Sequence, residues 1–329
     1  MKKALSIMLC VVIILTGFIG CNSKSGEMIT KTITVDQGES IFQIASKLKD
    51  EGIISNKAMF ILSLVLSGYR SKLKYGTFPL SSDMTNKEIL VSLAGGGIST
   101  EVAMITIPEG SSVQQIADIV DKSDIAVSSK DFYDALDDEY DYAFIKEIPN
   151  DGYDYKLQGF LFPSTYEFYI DASAHDIIDR LLSEFENQYK NAGENKTDMN
   201  MYQIITVASI LEKEALIKSE IPIISGVIQN RRRAQMPLQI CATVLYAVTE
   251  GMYDKTTVTY KDLEVKSLYN TYKNSGLPVG PISNPGLEAI KAALNPEKND
   301  YLYYHTDEEK KDGSHIFTKT FQDHKDTLN

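Results

Sequence analysis

Val207-Ala208-Ser209-Ile210-Leu211-Glu212-Lys213-Glu214-Ala215 puts two carboxylates and a lysine into a segment that is otherwise almost wholly apolar. Ile204 and Ile205 stand upstream of it, and Ile217, Ile221, Ile223 and Ile224 downstream. Burial of an unpaired carboxylate is costly, so a core helix ordinarily excludes Glu. A Glu kept among apolar neighbours is one route to a carboxylic acid still protonated near neutral pH, which general-acid cleavage of a glycosidic bond requires. On a helical wheel Ile204, Val207, Ala208, Leu211 and Ala215 share one face. Glu212 falls on one flank beside Ile205 and Ala208, Glu214 on the other near Val207 and Ile210, and Lys213 points away. The wheel admits either Glu as the buried acid. The opposing reading is an amphipathic helix whose Glu and Lys residues are ordinary solvated flanks.

The chain has 329 residues, enough for about two domains with a real core. Hydrophobic residues make up 43% and charged residues 24%, as in folded soluble proteins. The net charge of −12 argues against a nucleic-acid partner, because phosphate binding needs a basic surface. Eleven Asp or Glu residues lie between Asp121 and Asp154, which reads as a solvated surface region or a mobile insertion.

Residues 1–20 read as a targeting segment. Lys2 and Lys3 precede an uncharged, mostly apolar run of 17 residues, Ala4 to Gly20, that ends at Phe18-Ile19-Gly20-Cys21. A small residue followed by Cys at the end of such a run resembles a bacterial lipobox, with Cys21 carrying the lipid after cleavage. The rival reading is an uncleaved transmembrane anchor, for which the run is near the lower limit of length. Either reading puts the rest of the chain outside the cytoplasm. Of the three cysteines, Cys10 and Cys21 belong to this leader and Cys241 stands alone, so stability must come from the core.

Ile33-Thr34-Val35-Asp36-Gln37-Gly38-Glu39-Ser40-Ile41-Phe42-Gln43-Ile44-Ala45 is matched 72 residues later by Ile105-Thr106-Ile107-Pro108-Glu109-Gly110-Ser111-Ser112-Val113-Gln114-Gln115-Ile116-Ala117. Each reads as a short strand, a glycine turn, a Ser N-cap and a helix. The pattern resembles the LysM family of small glycan-binding modules; two unrelated strand–turn–helix units are the alternative. A first domain is expected over 30–100, with a helix from Lys57 to Leu66 and another from Asn86, stopped by Gly95-Gly96-Gly97. The second repeat opens a larger domain over 101–329. There, helices are expected at Ala174–Ala192, Met201–Ile217, Glu220–Arg233, near Thr243–Val248 and at Leu287–Leu294. Gln158 to Tyr169 reads as a shaped loop and strand, Gly276 to Gly286 as an ordered loop, and Tyr301–His305 with His315–Phe317 as a terminal hairpin. The fold class is therefore α+β: a small α/β module, then a larger mixed α+β domain.

Several chemistries find no motif. The chain has no phosphate loop ending in Lys-Ser/Thr, no His-Glu-x-x-His, no Gly-x-Ser-x-Gly elbow and no Cys/His cluster, so neither a metal nor a cofactor is expected. His305 and His315 can meet across the terminal hairpin, in a structural role. What remains is carboxylate chemistry in a cleft lined by Tyr, Asn and Gln.

Phe160-Leu161-Phe162-Pro163-x-Thr165-Tyr166, Ala208-Ser209-Ile210-Leu211-Glu212-Lys213-Glu214, Asn230-Arg231, Leu238-Gln239, Tyr269-Asn270-Thr271-Tyr272 and Gly276-Leu277-Pro278-x-Gly280-x-Ile282-x-x-Pro285-Gly286 occur in this order. The ordered set resembles the endolytic murein transglycosylases, the MltG or YceG-like family, over residues 30 to 329. The resemblance implies a LysM-like module before the catalytic domain. It implies a site in the cell envelope facing peptidoglycan glycan strands, and cell-wall synthesis proteins as further partners. It also implies a non-hydrolytic cut between N-acetylmuramic acid and N-acetylglucosamine that leaves a 1,6-anhydro end. The family's catalytic Glu is the first of its motif, here Glu212. Phe162, Tyr269 and Tyr272 are candidates for contact with sugar rings, and Gln239 and Asn270 for hydrogen bonds to them. A glycan-binding lipoprotein without activity and a glycoside hydrolase are the other readings. Two positions depart from the family, which usually has Asp-Pro where Cys241-Ala242 stands and Asp where Ser164 stands.

Overall fold

A computed structural model describes residues 29–328 apart from 37, 68, 70–72, 75, 96–101 and 151. The apolar run Ala4–Gly20 and Cys21 lie outside the described residues. No helix among those described is long and apolar enough to cross a membrane.

The described residues form two compact units, one within Met1–Thr100 and the other within Glu101–Asn329. In the first, strand β1 (Thr30–Val35) pairs antiparallel with β2 (Gly76–Ser81), placing Ile33 opposite Phe78. Helices α1 (Ile41–Asp50) and α2 (Lys57–Ser67) lie between them in sequence, and α3 (Asn86–Gly95) follows. Alternation along β1 sends Ile33 and Val35 inward, against Leu48, Phe60, Leu64 and Leu90. Gly96 and Gly97, expected to stop α3, lie outside the described residues.

The second unit opens on the second repeat. Strand β3 (Val102–Thr106) pairs antiparallel with β4 (Thr165–Tyr169), Ile105 opposite Tyr166. Helices α4 (Val113–Asp121) and α5 (Ser129–Ala135) and a 3-10 turn at Ala143–Glu147 connect them. The acidic stretch carries residues of the core. Phe132, Leu136, Phe144 and Ile148 are buried, and the Phe144 ring lies 5.0 Å from Phe185, while most of the carboxylates face water.

Next come α6 (Ala174–Asn191), α7 (Met201–Glu214), α8 (Ile221–Arg233), α9 (Cys241–Val248) and α10 (Leu287–Leu294). The chain closes with the hairpin β5 (Tyr303–Thr306) and β6 (His315–Thr318), then α11 (Phe321–Asp326). Helix α7 stops at Glu214 rather than Ile217 because Ala215 is extended, at φ −94° and ψ 110°.

Helix α7 holds the decisive stretch, and it is not amphipathic. Tyr202 and every residue from Ile204 to Leu211 are buried, with α8, α9 and α10 packed around it. A helix apolar on all sides belongs in the interior. Ile204, Ile205, Val207, Ile210 and Leu211 together contribute about 10 kcal/mol of apolar burial. That outweighs the few kcal/mol of holding a carboxyl group near them, provided the group keeps its proton.

Candidate active site

Three segments meet at the C-terminal end of α7: the helix itself, the β3–α4 turn and the loop before α10. Ser209 docks that loop. Its hydroxyl accepts the Ile282 N–H at 3.0 Å, and its carbonyl accepts the Ser283 hydroxyl at 3.0 Å. Asn284, fully buried, uses every polar atom it has. Its side-chain oxygen accepts the N–H groups of Gly159 and Leu161, both at 2.9 Å. Its amide donates to Ser111 O at 2.9 Å, its N–H reaches the same oxygen at 2.8 Å, and its carbonyl accepts the Gly110 N–H at 2.9 Å.

The loop ends on Gly286, the N-cap of α10, whose N–H donates to Glu212 Oε2 at 2.9 Å. Among the described residues Glu212 Oε1 makes no hydrogen bond. Burial pushes the Glu212 carboxyl above its ordinary range; the Gly286 N–H opposes the rise and the nearby charge of Glu109 adds to it. Lys213, expected to point into solvent, instead donates to Gly110 O at 3.2 Å and lies 3.8 Å from the centre of the Tyr253 ring. Burial holds its ammonium below the usual lysine range.

Glu214 faces another way. Oε2 accepts the Tyr304 hydroxyl at 3.0 Å and Oε1 the Ala242 N–H at 3.4 Å, tying α7 to β5 and α9. Burial raises its carboxyl also, against those two donors. It lines a cavity of about 490 Å³ together with Gln239, Cys241, Tyr272, Tyr304 and Arg231. Glu212 is not among the residues lining that cavity, so the two carboxylates that the helical wheel left equivalent look in two directions.

The other expected contacts divide as well. Gln239 is exposed, in the left-handed region at φ 53°, and Tyr272 is half-buried with its hydroxyl 3.2 Å from Cys241 Sγ. Phe162, Tyr269 and Asn270 are interior residues. Phe162 is part of the main core. The Tyr269 ring packs 4.6 Å from that of Tyr246, and its hydroxyl accepts the Asp154 N–H. The Asn270 amide donates to Leu263 O and Val265 O, both at 2.9 Å, and its oxygen accepts the Tyr272 N–H at 3.0 Å. These three side chains are committed to the fold, Phe162 by its apolar packing and Tyr269 and Asn270 because a buried polar group must be paired where it sits. His305 and His315 do not meet: His305 lies opposite Ile316, and His315 bonds to Glu220 at 2.7 Å. Glu109, Asn284 and Gly286 were not singled out by sequence. The signal for Glu109 lies in the repeat, where Gln37 occupies its register.

Fold and site together define a class: a mixed α+β protein built around carboxyl groups at the end of a core helix, where burial disfavours their ionised form. The YceG-like family model matches residues 33–329, and the chain belongs to that family. It is 36% identical over 311 residues to the endolytic murein transglycosylase of Bacillus subtilis, covering 90% of this chain and 83% of that protein. It is 28% identical over 306 residues to the enzyme of the same name from Streptococcus pneumoniae, covering 84% of this chain and 54% of that one. The crystal structure of a yceG-like protein from Listeria monocytogenes is similar, with a TM-score of 0.59 and 34% identity, over 92% of this chain and all of that one.

Proposed function

We propose that this protein cuts peptidoglycan glycan strands internally, between N-acetylmuramic acid and N-acetylglucosamine, with Glu212 as the single acid and base. The observation that carries the reading is the Glu212 carboxyl: burial favours its protonated form, Gly286 orients it through one oxygen, and the other oxygen makes no hydrogen bond among the described residues. Protonated Glu212 donates to the glycosidic oxygen as the C1–O bond breaks. The carboxylate so formed takes the proton of the C6 hydroxyl as O6 closes on C1, and a 1,6-anhydro end results. Gly286 N–H, at the positive end of α10, holds that carboxylate between the two proton transfers. Gln239 and Tyr272, which line the neighbouring cavity with Glu214, are the proposed contacts to more distant parts of a strand; Asn270 acts by holding the backbone of Tyr272. Digestion of purified sacculi tests the reading. Anhydro ends by mass spectrometry support it, reducing ends point to hydrolysis, and intact sacculi with protein bound point to a glycan-binding role alone.

The first unit is the proposed LysM-like glycan-binding module; its strand–helix–helix–strand order supports this. A lipid on Cys21 is the proposed attachment to the membrane, with the folded units in the cell envelope. Cys21→Ala is expected to leave a larger, unprocessed chain. Absence of fatty-acid incorporation into the wild type would favour a membrane-spanning leader instead.

The departure at Cys241-Ala242 supports a second prediction. Cys241 is the exposed first residue of α9, whose N-cap Ile240 makes no side-chain capping bond. An Asp there stays solvated and faces the positive helix end; Pro is tolerated in a first turn, at the loss of the long Ala242 N–H bond to Glu214 Oε1. Cys241→Asp with Ala242→Pro is expected to raise turnover, by up to about a hundredfold if the turn orients the strand. Product assays and thermal melts on the same variant check it; a lower melting temperature without more product would remove the functional meaning of this departure.

A further inference from the structure

The chain builds one strand–turn–helix unit twice, and one of the differences between the two turns is the side chain just before the glycine. In both copies a glycine takes positive φ, Gly38 at 89° and Gly110 at 77°. In both a Ser caps the helix and a Gln completes the capping box, Ser40 with Gln43 and Ser112 with Gln115. Before the glycine stands Gln37 in the first copy and Glu109 in the second. The sequence of the turn therefore does not require a carboxylate at that position.

In the second copy the turn is clamped beside Glu212. Gly110 N–H donates to Asn284 O, Lys213 donates to Gly110 O, and a Cβ on Gly110 would lie 3.4 Å from Glu212 Cγ. The backbone next to Glu109 is thus held, while its side chain is exposed. That side chain lies over Gly286, where an added Cβ would overlap its Oε1 and Cδ. Gly286 is also the donor to Glu212. Two carboxylates from distant parts of the chain converge on one glycine.

We propose that Glu109 is a positioning residue of the site, an ionised carboxylate whose charge keeps the reacting proton on Glu212. The proposal rests on the reading of Glu212 as the acid. Two neighbouring carboxylates cannot both ionise cheaply, and the better solvated one gives up its proton first. Glu109 is exposed, and its charge adds to the burial that favours the protonated form of Glu212. The other charges facing Glu212 are Lys213 on its own helix and Lys218 just beyond, and both favour its ionised form. Lys213 is held by Gly110 O and the Tyr253 ring, and Glu214 is turned toward Tyr304 and Ala242. Among the described residues, Glu109 is then the charge at the site that opposes the two lysines.

The test titrates the Glu212 carboxyl by carbon NMR in the full folded chain, with the signal assigned through Glu212→Gln. Glu109→Gln is expected to fold, since the first copy carries Gln in that register, and to move the Glu212 midpoint to lower pH. Gly286→Ala displaces the Glu109 carboxylate without removing it and is expected to move the midpoint the same way. On glycan strands, Glu109→Gln is expected to lose about tenfold in kcat/KM on the alkaline limb, with little change on the acid side. A Glu212 midpoint unchanged in folded Glu109→Gln overturns the proposal, and so does a shifted midpoint with an unchanged pH profile. Failure of the wild type to cut glycan at all would overturn the proposed function instead, and the titration would remain readable.

Discussion

Glu212→Gln is expected to lower turnover on glycan strands by about a hundred- to ten-thousandfold, the range lost when a general acid is removed. The amide keeps the size of the side chain and an oxygen to accept the Gly286 N–H, so the site loses its transferable proton and little else. The same substitution should make the protein more stable at neutral pH. Burial raises the native Glu212 carboxyl above its unfolded range. A group shifted upward contributes stability that is present at acid pH and lost as pH rises through the native value. Above that value the wild type must either ionise Glu212 in place or hold a proton against the solution. Gln has neither cost. Melting temperatures measured at about pH 8 and about pH 4 should show the variant ahead at the first and level at the second. Glu214→Gln should retain far more activity, because both oxygens of Glu214 are occupied by Tyr304 and Ala242. Activity that survives in Glu212→Gln and disappears in Glu214→Gln would transfer the acid role to Glu214 and the cavity beside it.

Asn284→Ala is expected to have the largest effect on stability. It removes the acceptor for two buried N–H groups, Gly159 and Leu161, and the side-chain donor to Ser111 O. Each buried donor left without a partner costs about 1–3 kcal/mol, so the loss is about 3–5 kcal/mol. For a unit of this size that lowers the melting temperature by about 10 °C or more. The amides of Gly159 and Leu161 should lose hydrogen-exchange protection before the rest of the core. Activity should fall below the melting range as well, because the loop that Asn284 holds also carries Gly286 to Glu212. Asn284→Asp keeps both acceptor bonds and sets a carboxylate against Ser111 O, so it should fall between wild type and Asn284→Ala. Equal melting temperatures for Asn284→Ala and wild type would mean that the loop is held by its apolar contacts alone.

Residues that act through local pattern were legible in the chain. The repeated strand, glycine turn and Ser-capped helix folds as such in both copies, because capping boxes and positive-φ glycines operate within a few residues. The helices from Ala174, Met201 and Leu287 begin where apolar spacing and caps put them. Residues whose role depends on distant partners were not. Tyr269 and Asn270 carry polar groups of a kind that reads as a binding surface, yet both side chains are buried and their partners are backbone atoms of the fold. Phe162 belongs to the core for the same reason that any aromatic ring can: its area is worth more against other apolar groups than against water.

The sequence by itself determined that the chain is a mixed α+β protein with a duplicated strand–helix unit, and that two Glu residues stand in an apolar helix. Those properties follow from composition, spacing and short-range capping. The tertiary structure alone decided that α7 is enclosed on every side, that Glu212 and Glu214 face different surroundings, and that Glu109 stands beside Glu212. A helical wheel contains only angles about one axis. Which flank meets an open oxygen, a neighbouring charge or two hydrogen-bond donors is set by segments that the chain brings to α7 from about a hundred residues before it and about seventy after it.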